Sequence, residues 1–288
     1  MGTVVSIDGA LCPSAEDAKV SVFDRGFLYG DSVFEVMRTY GGVPFAEREH
    51  LERLARSCER LLIELPVPID TLAREIRAVL DGARNVESYV RVVVTRGSGP
   101  LVLDPSTARD PLRVIIVKEL DPQPAENYTN GVGVALVRVA RATDDTRAAG
   151  AKASNYLGNL LALHEARSRG CHEAVVLGPS GDVIEGASSN VFVVRAGAIF
   201  TPPKESGLLE GITRAKVVAL AQAEGISVTE AALFPRDLYD ADEVFLTSTL
   251  REVVPIVKVD GERVAGGTPG PVTQRLLGAY RRLAARAG

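Results

Sequence analysis

The chain has 288 residues, 24% of them charged and 46% hydrophobic, which is the balance of a soluble globular protein with room for one large domain or two ordinary ones. A formal net charge of -4 offers no basic field for nucleic acid or an anionic membrane surface, and no apolar run approaches the roughly 20 residues that span a bilayer. Cys12, Cys58 and Cys171 have neither paired nor zinc-ligand spacing, so no disulfide framework or metal centre is expected and a reducing cytoplasm suits them. The opening residues lack the basic and apolar regions of a secretory leader. No G-x-S-x-G elbow or G-x-x-x-x-G-K phosphate loop is present, which sets those enzyme classes aside.

In chain order, Val4 to Ile7 and Val20 to Phe23 read as short strands, with a turn signal at Asp8-Gly9. Ser32 to Tyr40 is a longer strand whose period of two puts Phe34, Val36, Arg38 and Tyr40 on one face and Glu35, Met37 and Thr39 on the other. Gly41-Gly42 signals a hairpin. Glu47 to Glu64 is helical, with Leu51, Leu54, Cys58, Leu61 and Leu62 as its apolar side and Pro66 and Pro68 as its stop. Asp70 then caps a second helix striped by Leu72, Ile76, Val79 and Leu80. Tyr89 to Arg96 alternates as a strand, with Val90, Val92 and Val94 opposite Tyr89, Arg91 and Val93. A surface loop from Gly97 to Asp110 and a buried-type strand from Leu112 to Val117 follow.

Asp121-Pro122-Gln123-Pro124 reads as a linker. It separates an N-terminal α/β domain (1–120) from a C-terminal domain (131–288), with 121–130 between them. In the second part, strands are expected at Gly133 to Val139, Ala174 to Leu177, Val191 to Val194, Ala198 to Thr201 and Glu243 to Thr247. Helices are expected at Asn155 to Arg169, Gly211 to Glu224 and Pro271 to Ala285. The order of elements indicates two mixed α/β domains.

Two residues carry the chemistry. Lys152 stands just before a helix, and Glu185 ends a short strand. A pyridoxal phosphate enzyme needs such a pair: an amine to form the Schiff base and an anion to keep the pyridine nitrogen protonated. The chain has six lysines, so candidates for the amine are few. Position alone would allow Lys152 to be a surface lysine. Arg38 and Arg91 each sit on an otherwise apolar strand face, where a cation needs an anion: a substrate carboxylate or an internal Asp or Glu.

The segments Lys152 to Ala166 (KASNYLGNLLALHEA), Glu185 to Phe192 (EGASSNVF), Thr201-Pro202-Pro203 and Gly211-Ile212-Thr213-Arg214 resemble class IV, fold-type IV, pyridoxal phosphate-dependent aminotransferases. So do Glu243 to Thr249, Gly270 to Thr273, Phe23-Asp24-Arg25-Gly26 and His50-Leu51-Glu52-Arg53-Leu54, and together these motifs cover nearly the whole chain in order. The resemblance implies a fold of two α/β domains with the cofactor in the cleft between them, in a homodimer whose loops complete each other's sites. It implies that Lys152 is the Schiff-base lysine and that Tyr156, four residues on, donates to the cofactor's phenolic oxygen. Glu185 would sit on the pyridine nitrogen and Leu209 against one ring face. The phosphate would be held by Arg53, by Gly211, Ile212 and Thr213 at a helix N-terminus, and by Ser248 and Thr249. Phe34, Val36, Arg38, Tyr89 and Arg91 would meet the substrate, an amino or keto acid.

Within the family, Tyr89-Val90-Arg91, Phe34-Glu35-x-x-Arg38 and Thr95-Arg96-Gly97 to Leu103-Asp104-Pro105 look like branched-chain enzymes, which implies transfer between a hydrophobic amino acid and 2-oxoglutarate. Val36 and Ser188-Ser189-Asn190 are closer to D-amino acid aminotransferases, although Ser98-Gly99-Pro100-Leu101 lacks their arginine and histidine. A D-specific or broad-specificity transaminase, including one for R-amines, is therefore the alternative. Aminodeoxychorismate lyase comes third, since Val36 and Arg91 depart from its pattern.

Overall fold

Turn chemistry and alternation build the first sheet. In the computed structural model, which describes residues 2–139 and 148–286, the chain divides into two compact units: residues 2–121 with 148–155, and residues 122–139 with 156–286. The short stretch carrying Lys152 thus belongs with the first unit, whereas the sequence reading assigned it to the second.

The first unit runs β1 (Val4–Ile7), β2 (Ala10–Leu11), α1 (Arg25–Tyr29), β3 (Ser32–Tyr40), β4 (Val43–Pro44), α2 (Glu47–Arg60), α3 (Ile69–Ala83), β5 (Ser88–Thr95) and β6 (Arg113–Glu119). The strands form a six-stranded sheet in the order β2-β1-β6-β5-β3-β4, antiparallel throughout. Both tight hairpins turn through two residues of positive φ, Asp8-Gly9 and Gly41-Gly42, the backbone that matches strand twist. Met37, Val90, Val92, Val94, Ile115 and Val117 pack against Leu51, Leu54, Leu72, Ile76 and Val79 of α2 and α3, so the helices cover one face of the sheet.

Three expectations change here. Residues 18–23 form no strand: Val20, Val22 and Phe23 are exposed, because β-propensity without a neighbouring strand to pair makes no sheet. Asp24 instead caps α1, accepting the Gly26 N–H at 2.7 Å. Helix α2 stops at Arg60, ended by left-handed backbone at Leu62 (φ 55°) before Pro66 and Pro68 are reached. Pro68, not Asp70, occupies the N-cap of α3, and Asp70 lies in its first turn.

The second unit contains α4 (Glu126–Thr129), β7 (Val132–Arg138), α5 (Leu157–Ser168), β8 (Glu173–Leu177), β9 (Val183–Gly186), β10 (Asn190–Arg195), β11 (Ala198–Thr201), α6 (Ile212–Ala223), β12 (Val228–Glu230), α7 (Pro235–Tyr239), β13 (Glu243–Ser248), β14 (Glu252–Val259), β15 (Glu262–Arg263) and α8 (Pro271–Ala285). Its sheet runs β12-β11-β10-β13-β14-β7-β8-β9, with β15 paired to β14. It is mixed: β7 runs parallel to β8 and β14, and β11 parallel to β12. Every residue of β8 is buried, as in a strand covered on both faces. Ala162 and Ala166 of α5 lie against Ala135, Val137 and Ala174, small residues that let the helix approach the sheet closely.

Candidate active site

Helix α2 presents His50, Arg53, Ser57 and Arg60 at spacings of three and four, one polar stripe beside the apolar stripe of Leu51, Leu54 and Cys58. The stripe and the start of β3 hold the segment that carries Lys152. The Lys152 N–H donates to Ser57 Oγ at 3.1 Å, and the Phe34 N–H donates to the Lys152 carbonyl at 2.9 Å. The Ser154 N–H donates to the Ser32 carbonyl at 2.9 Å, and the hydroxyls of those two serines meet at 2.7 Å. Arg60 Nη1 reaches the Ala149 carbonyl at 2.6 Å. The Lys152 backbone is therefore fixed from both sides, and its Nζ lies 4.6 Å from the centre of the Phe34 ring.

On the helix-facing side of β3, Glu35 is fully buried between two groups of the stripe. Its oxygens accept from Arg53 Nε at 2.6 Å and Nη2 at 2.8 Å, and Oε2 meets His50 Nδ1 at 2.7 Å. Burial alone would raise the Glu35 pKa; the Arg53 guanidinium and the His50 hydrogen bond reverse that and bring it to about 2. Burial lowers the His50 pKa, the neighbouring Arg53 and Lys152 charges act in the same direction, and Glu35 opposes them. A neutral His50 facing a carboxylate must carry its proton on Nδ1.

The other face of β3 and β5 gathers the five expected substrate residues. Val36 pairs across strands with Arg91, Arg38 with Tyr89, and Phe34 with Val93. The Arg91 guanidinium carbon stands 4.0 Å over the Phe34 ring, and that of Arg38 stands 4.2 Å over Tyr40. Arg91 makes no ion pair among the described residues, so an internal carboxylate does not account for it. Lys152 and Arg91 thus address the same aromatic ring.

In the second unit, Glu185 is the penultimate residue of β9 and is 8% exposed. Its Oε2 accepts the Leu209 N–H at 3.0 Å, and the Leu209 carbonyl accepts Asn190 Nδ2 at 3.0 Å. A Cβ on Gly211 would lie 1.9 Å from Asn190 Oδ1, so any larger residue there would have to displace the Asn190 amide. Gly211 is the N-cap of α6, which has no side-chain cap, and Ile212 and Thr213 open the helix. Thr247, paired with Asn190 across β10 and β13, has a buried hydroxyl with no partner among the described residues, as does Ser189.

Ser248 ends β13 and Thr249 opens the turn after it, and Ser248 Oγ accepts from Arg251 Nε at 3.2 Å. Arg251 Nη2 also reaches the fully buried Glu173 at 2.5 Å and Ser188 Oγ at 2.8 Å. Sequence reasoning missed this Glu173–Ser188–Arg251 cluster; its one sequence signal is a lone carboxylate heading the apolar run Ala174 to Leu177. Tyr156 lies just before α5, which begins at Leu157 rather than near Lys152. Lys152 and Tyr156 are therefore joined by no helix. Asn159 Nδ2 ties the start of α5 to the Ala187 carbonyl at 2.6 Å, in the loop after Glu185. No cluster of metal-ligating side chains occurs among the described residues, and no helix there is long and apolar enough to cross a membrane.

Residues 32–259 match the model of the amino-transferase class IV family. A putative branched-chain-amino-acid aminotransferase of Methanocaldococcus jannaschii is 40% identical over 261 residues, covering 91% of this chain and 90% of that protein. A D-alanine aminotransferase of Staphylococcus epidermidis is 36% identical over 278 residues, covering 95% of each. Among solved structures, the branched-chain amino acid aminotransferase of Escherichia coli superimposes with a TM-score of 0.94 at 34% identity, over 100% of this chain and 96% of that one. The branched-chain enzyme of Thermobaculum terrenum, solved in its PLP-bound holo form, superimposes with a TM-score of 0.89 at 26% identity, over 99% of this chain and 94% of that one. With a family model spanning most of its length and these relatives matched nearly end to end, the chain belongs to the class IV aminotransferases and is an aminotransferase with the mixed α/β architecture of fold-type IV.

Proposed function

We propose that this aminotransferase uses pyridoxal phosphate to move an amino group between a hydrophobic, branched-chain type amino acid and 2-oxoglutarate, in two successive half-reactions. The observation that carries the reading is the shared ring. Lys152 Nζ and the Arg91 guanidinium both stand over Phe34, at 4.6 and 4.0 Å, and Arg91 has no internal carboxylate among the described residues. An amine able to form a Schiff base beside a cation suited to a carboxylate fits an α-amino or α-keto acid.

The donor set fits the cofactor. Thr247 Oγ1 is buried without a partner among the described residues, and α6 begins at Gly211 without a side-chain cap. Bound pyridoxal phosphate supplies the electron sink for the substrate α-carbon. Lys152 Nζ would be the covalent anchor and would carry the proton to and from that carbon. The Glu185 carboxylate would keep the pyridine nitrogen protonated, and Tyr156 would donate to the phenolic oxygen. Arg53, the N–H groups of Gly211 and Ile212, the Thr213 hydroxyl, and Ser248 with Thr249 would hold the phosphate, and Leu209 would meet the ring. Phe34 and Val36 meet the substrate side chain, while Arg38, Tyr89 and Arg91 receive carboxylates.

A second reading, transfer from D-amino acids, is favoured by Val36 and by the likeness to a D-alanine aminotransferase over 95% of each chain. One experiment separates the two: mixing the pyridoxal phosphate-loaded protein with single L- or D-amino acids and following cofactor absorbance through one half-reaction. L-leucine, L-isoleucine and L-valine are expected to react and D-alanine is not; the reverse pattern refutes the branched-chain reading.

A homodimer is part of the proposal. Phe23, Phe27, Leu101 and Leu103 are all more than half exposed, and Arg25 ties α1 to the loop of Leu101 and Leu103 by donating to the carbonyls of Val102 and Leu103. Sedimentation at a monomer mass would refute it. The three free cysteines suit a cytoplasmic location.

A further inference from the structure

The Glu35–Arg53 pair is costly for what it contributes to stability. A fully buried carboxylate against a buried guanidinium gives up the hydration of both ions, and an apolar pair of similar volume would serve stability as well. Glu35 grips Arg53 as a fork, taking Nε with one oxygen and Nη2 with the other. Two parallel bonds set the plane of the guanidinium as well as its position, which a single bond does not. His50, one turn earlier on α2, meets Oε2, the oxygen that also takes Nη2. One turn later, Ser57 accepts the Lys152 N–H. Arg53 therefore has its direction fixed on the same rigid helix that fixes the Lys152 backbone.

We propose that Glu35 is a positioning residue for the cofactor's phosphate, fixing through its fork the direction in which the Arg53 guanidinium meets a phosphate monoester. This rests on the pyridoxal phosphate reading above. Two effects of Glu35 oppose each other. Its charge partly cancels that of Arg53 and so weakens attraction for an anion. Its fork removes, before binding, the rotational freedom of a long flexible side chain. The second effect wins, because the grip through Nε and Nη2 sets the plane of the guanidinium while the guanidinium keeps its charge.

The test compares the affinities of the apo protein for pyridoxal phosphate and for pyridoxal, which lacks the phosphate, in the wild type, Glu35→Gln, Glu35→Asp, Arg53→Ala and the Glu35→Gln/Arg53→Ala double variant. The wild type is expected to prefer the phosphorylated form, and a wild type without that preference refutes the cofactor reading and this inference together. Glu35→Gln is expected to lose about tenfold to a hundredfold of affinity for pyridoxal phosphate while its affinity for pyridoxal stays within about twofold. In the double variant the loss is expected to equal that of Arg53→Ala alone, the signature of two residues acting through one contact. A preference that Arg53→Ala abolishes but Glu35→Gln leaves unchanged or strengthens overturns the role of Glu35 and leaves the cofactor reading standing. Additive losses in the double variant overturn it as well. If Glu35→Gln does not fold, Glu35→Asp decides. It keeps the charge but withdraws the fork by one methylene, so its preference falls below the wild type's; an unaltered preference overturns the proposal. A purely structural Glu35 would weaken both ligands alike and leave the ratio untouched.

Discussion

The assignment of Arg91 to a substrate carboxylate yields a sharp kinetic expectation. Arg91→Met removes the guanidinium but keeps an unbranched stem, so contact with Phe34 survives through a sulfur–aromatic interaction. What the folded protein loses is a cation–π contact of about 0.5–1 kcal/mol on a half-buried strand face, with no ion pair among the described residues. The melting temperature should therefore move by a few degrees at most. What the keto-acid complex loses is a hydrogen-bonded ion pair worth about 1.5–3 kcal/mol, or about tenfold to a hundred-and-fiftyfold in binding. Single half-reactions separate the carboxylates. If Arg91 takes the distal carboxylate of 2-oxoglutarate, the half-reaction with that acid weakens by this factor while the one with L-leucine is unchanged. If it takes the α-carboxylate, both weaken together. An unchanged KM for 2-oxoglutarate in the variant refutes the assignment and leaves the carboxylate to Arg38 and Tyr89.

Glu185→Gln keeps an oxygen for the Leu209 N–H, so stability should change by less than about 1 kcal/mol while turnover falls on the order of a hundredfold; calorimetry and steady-state rates measure the two effects separately. Gly211→Ala leaves an ordinary φ of -67° but drives a methyl into Asn190, which should cost about 1–3 kcal/mol and weaken the holoprotein, read by melting with and without pyridoxal phosphate. Acid titration should find Glu35. Its folded pKa of about 2 lies below the unfolded value of 4.5, so its contribution is present above pH 4.5 and lost as pH falls toward 2. That shift corresponds to about 3 kcal/mol, and Glu35→Gln should flatten this limb of the stability curve. His50 acts at higher pH: with its folded pKa lowered, the unfolded chain binds the proton first, so stability also falls as pH drops below 6.5.

Regular alternation made much of the fold legible. The two faces of Ser32–Tyr40 and the opposed valines of Ser88–Thr95 follow from a period of two, and the register that pairs Val36 with Arg91 gathers the predicted face onto one side of the sheet. The start of helix α8 was legible because Gly270 precedes Pro271, a residue pre-set for the first helical turn. Residues 18–23 were not legible, since a strand exists only if a neighbour offers its hydrogen bonds. The beginning of α5 was missed for a related reason. Residues 152–154 satisfy their backbone groups against Ser32, Phe34 and Ser57, and that competition delays the helix to Leu157.

The two buried ion clusters show where single-chain reasoning stops. Glu35 shares the core face of β3 with Met37 and Thr39, so alternation already placed a carboxylate where it needed a partner. The partner was also visible: a helix whose buried side carries His50 and Arg53 three residues apart has a cation and a ring N–H donor in search of an anion. Joining two misfits, one with period two and one with helical period, yields the pair without a structure. Glu173 is the same kind of misfit at the head of a strand buried on both faces, but Arg251 lies in the turn between β13 and β14, which has no period to betray which way its side chain points. A buried charge is thus predictable in its need from one element, and predictable in its partner only when the partner's element repeats.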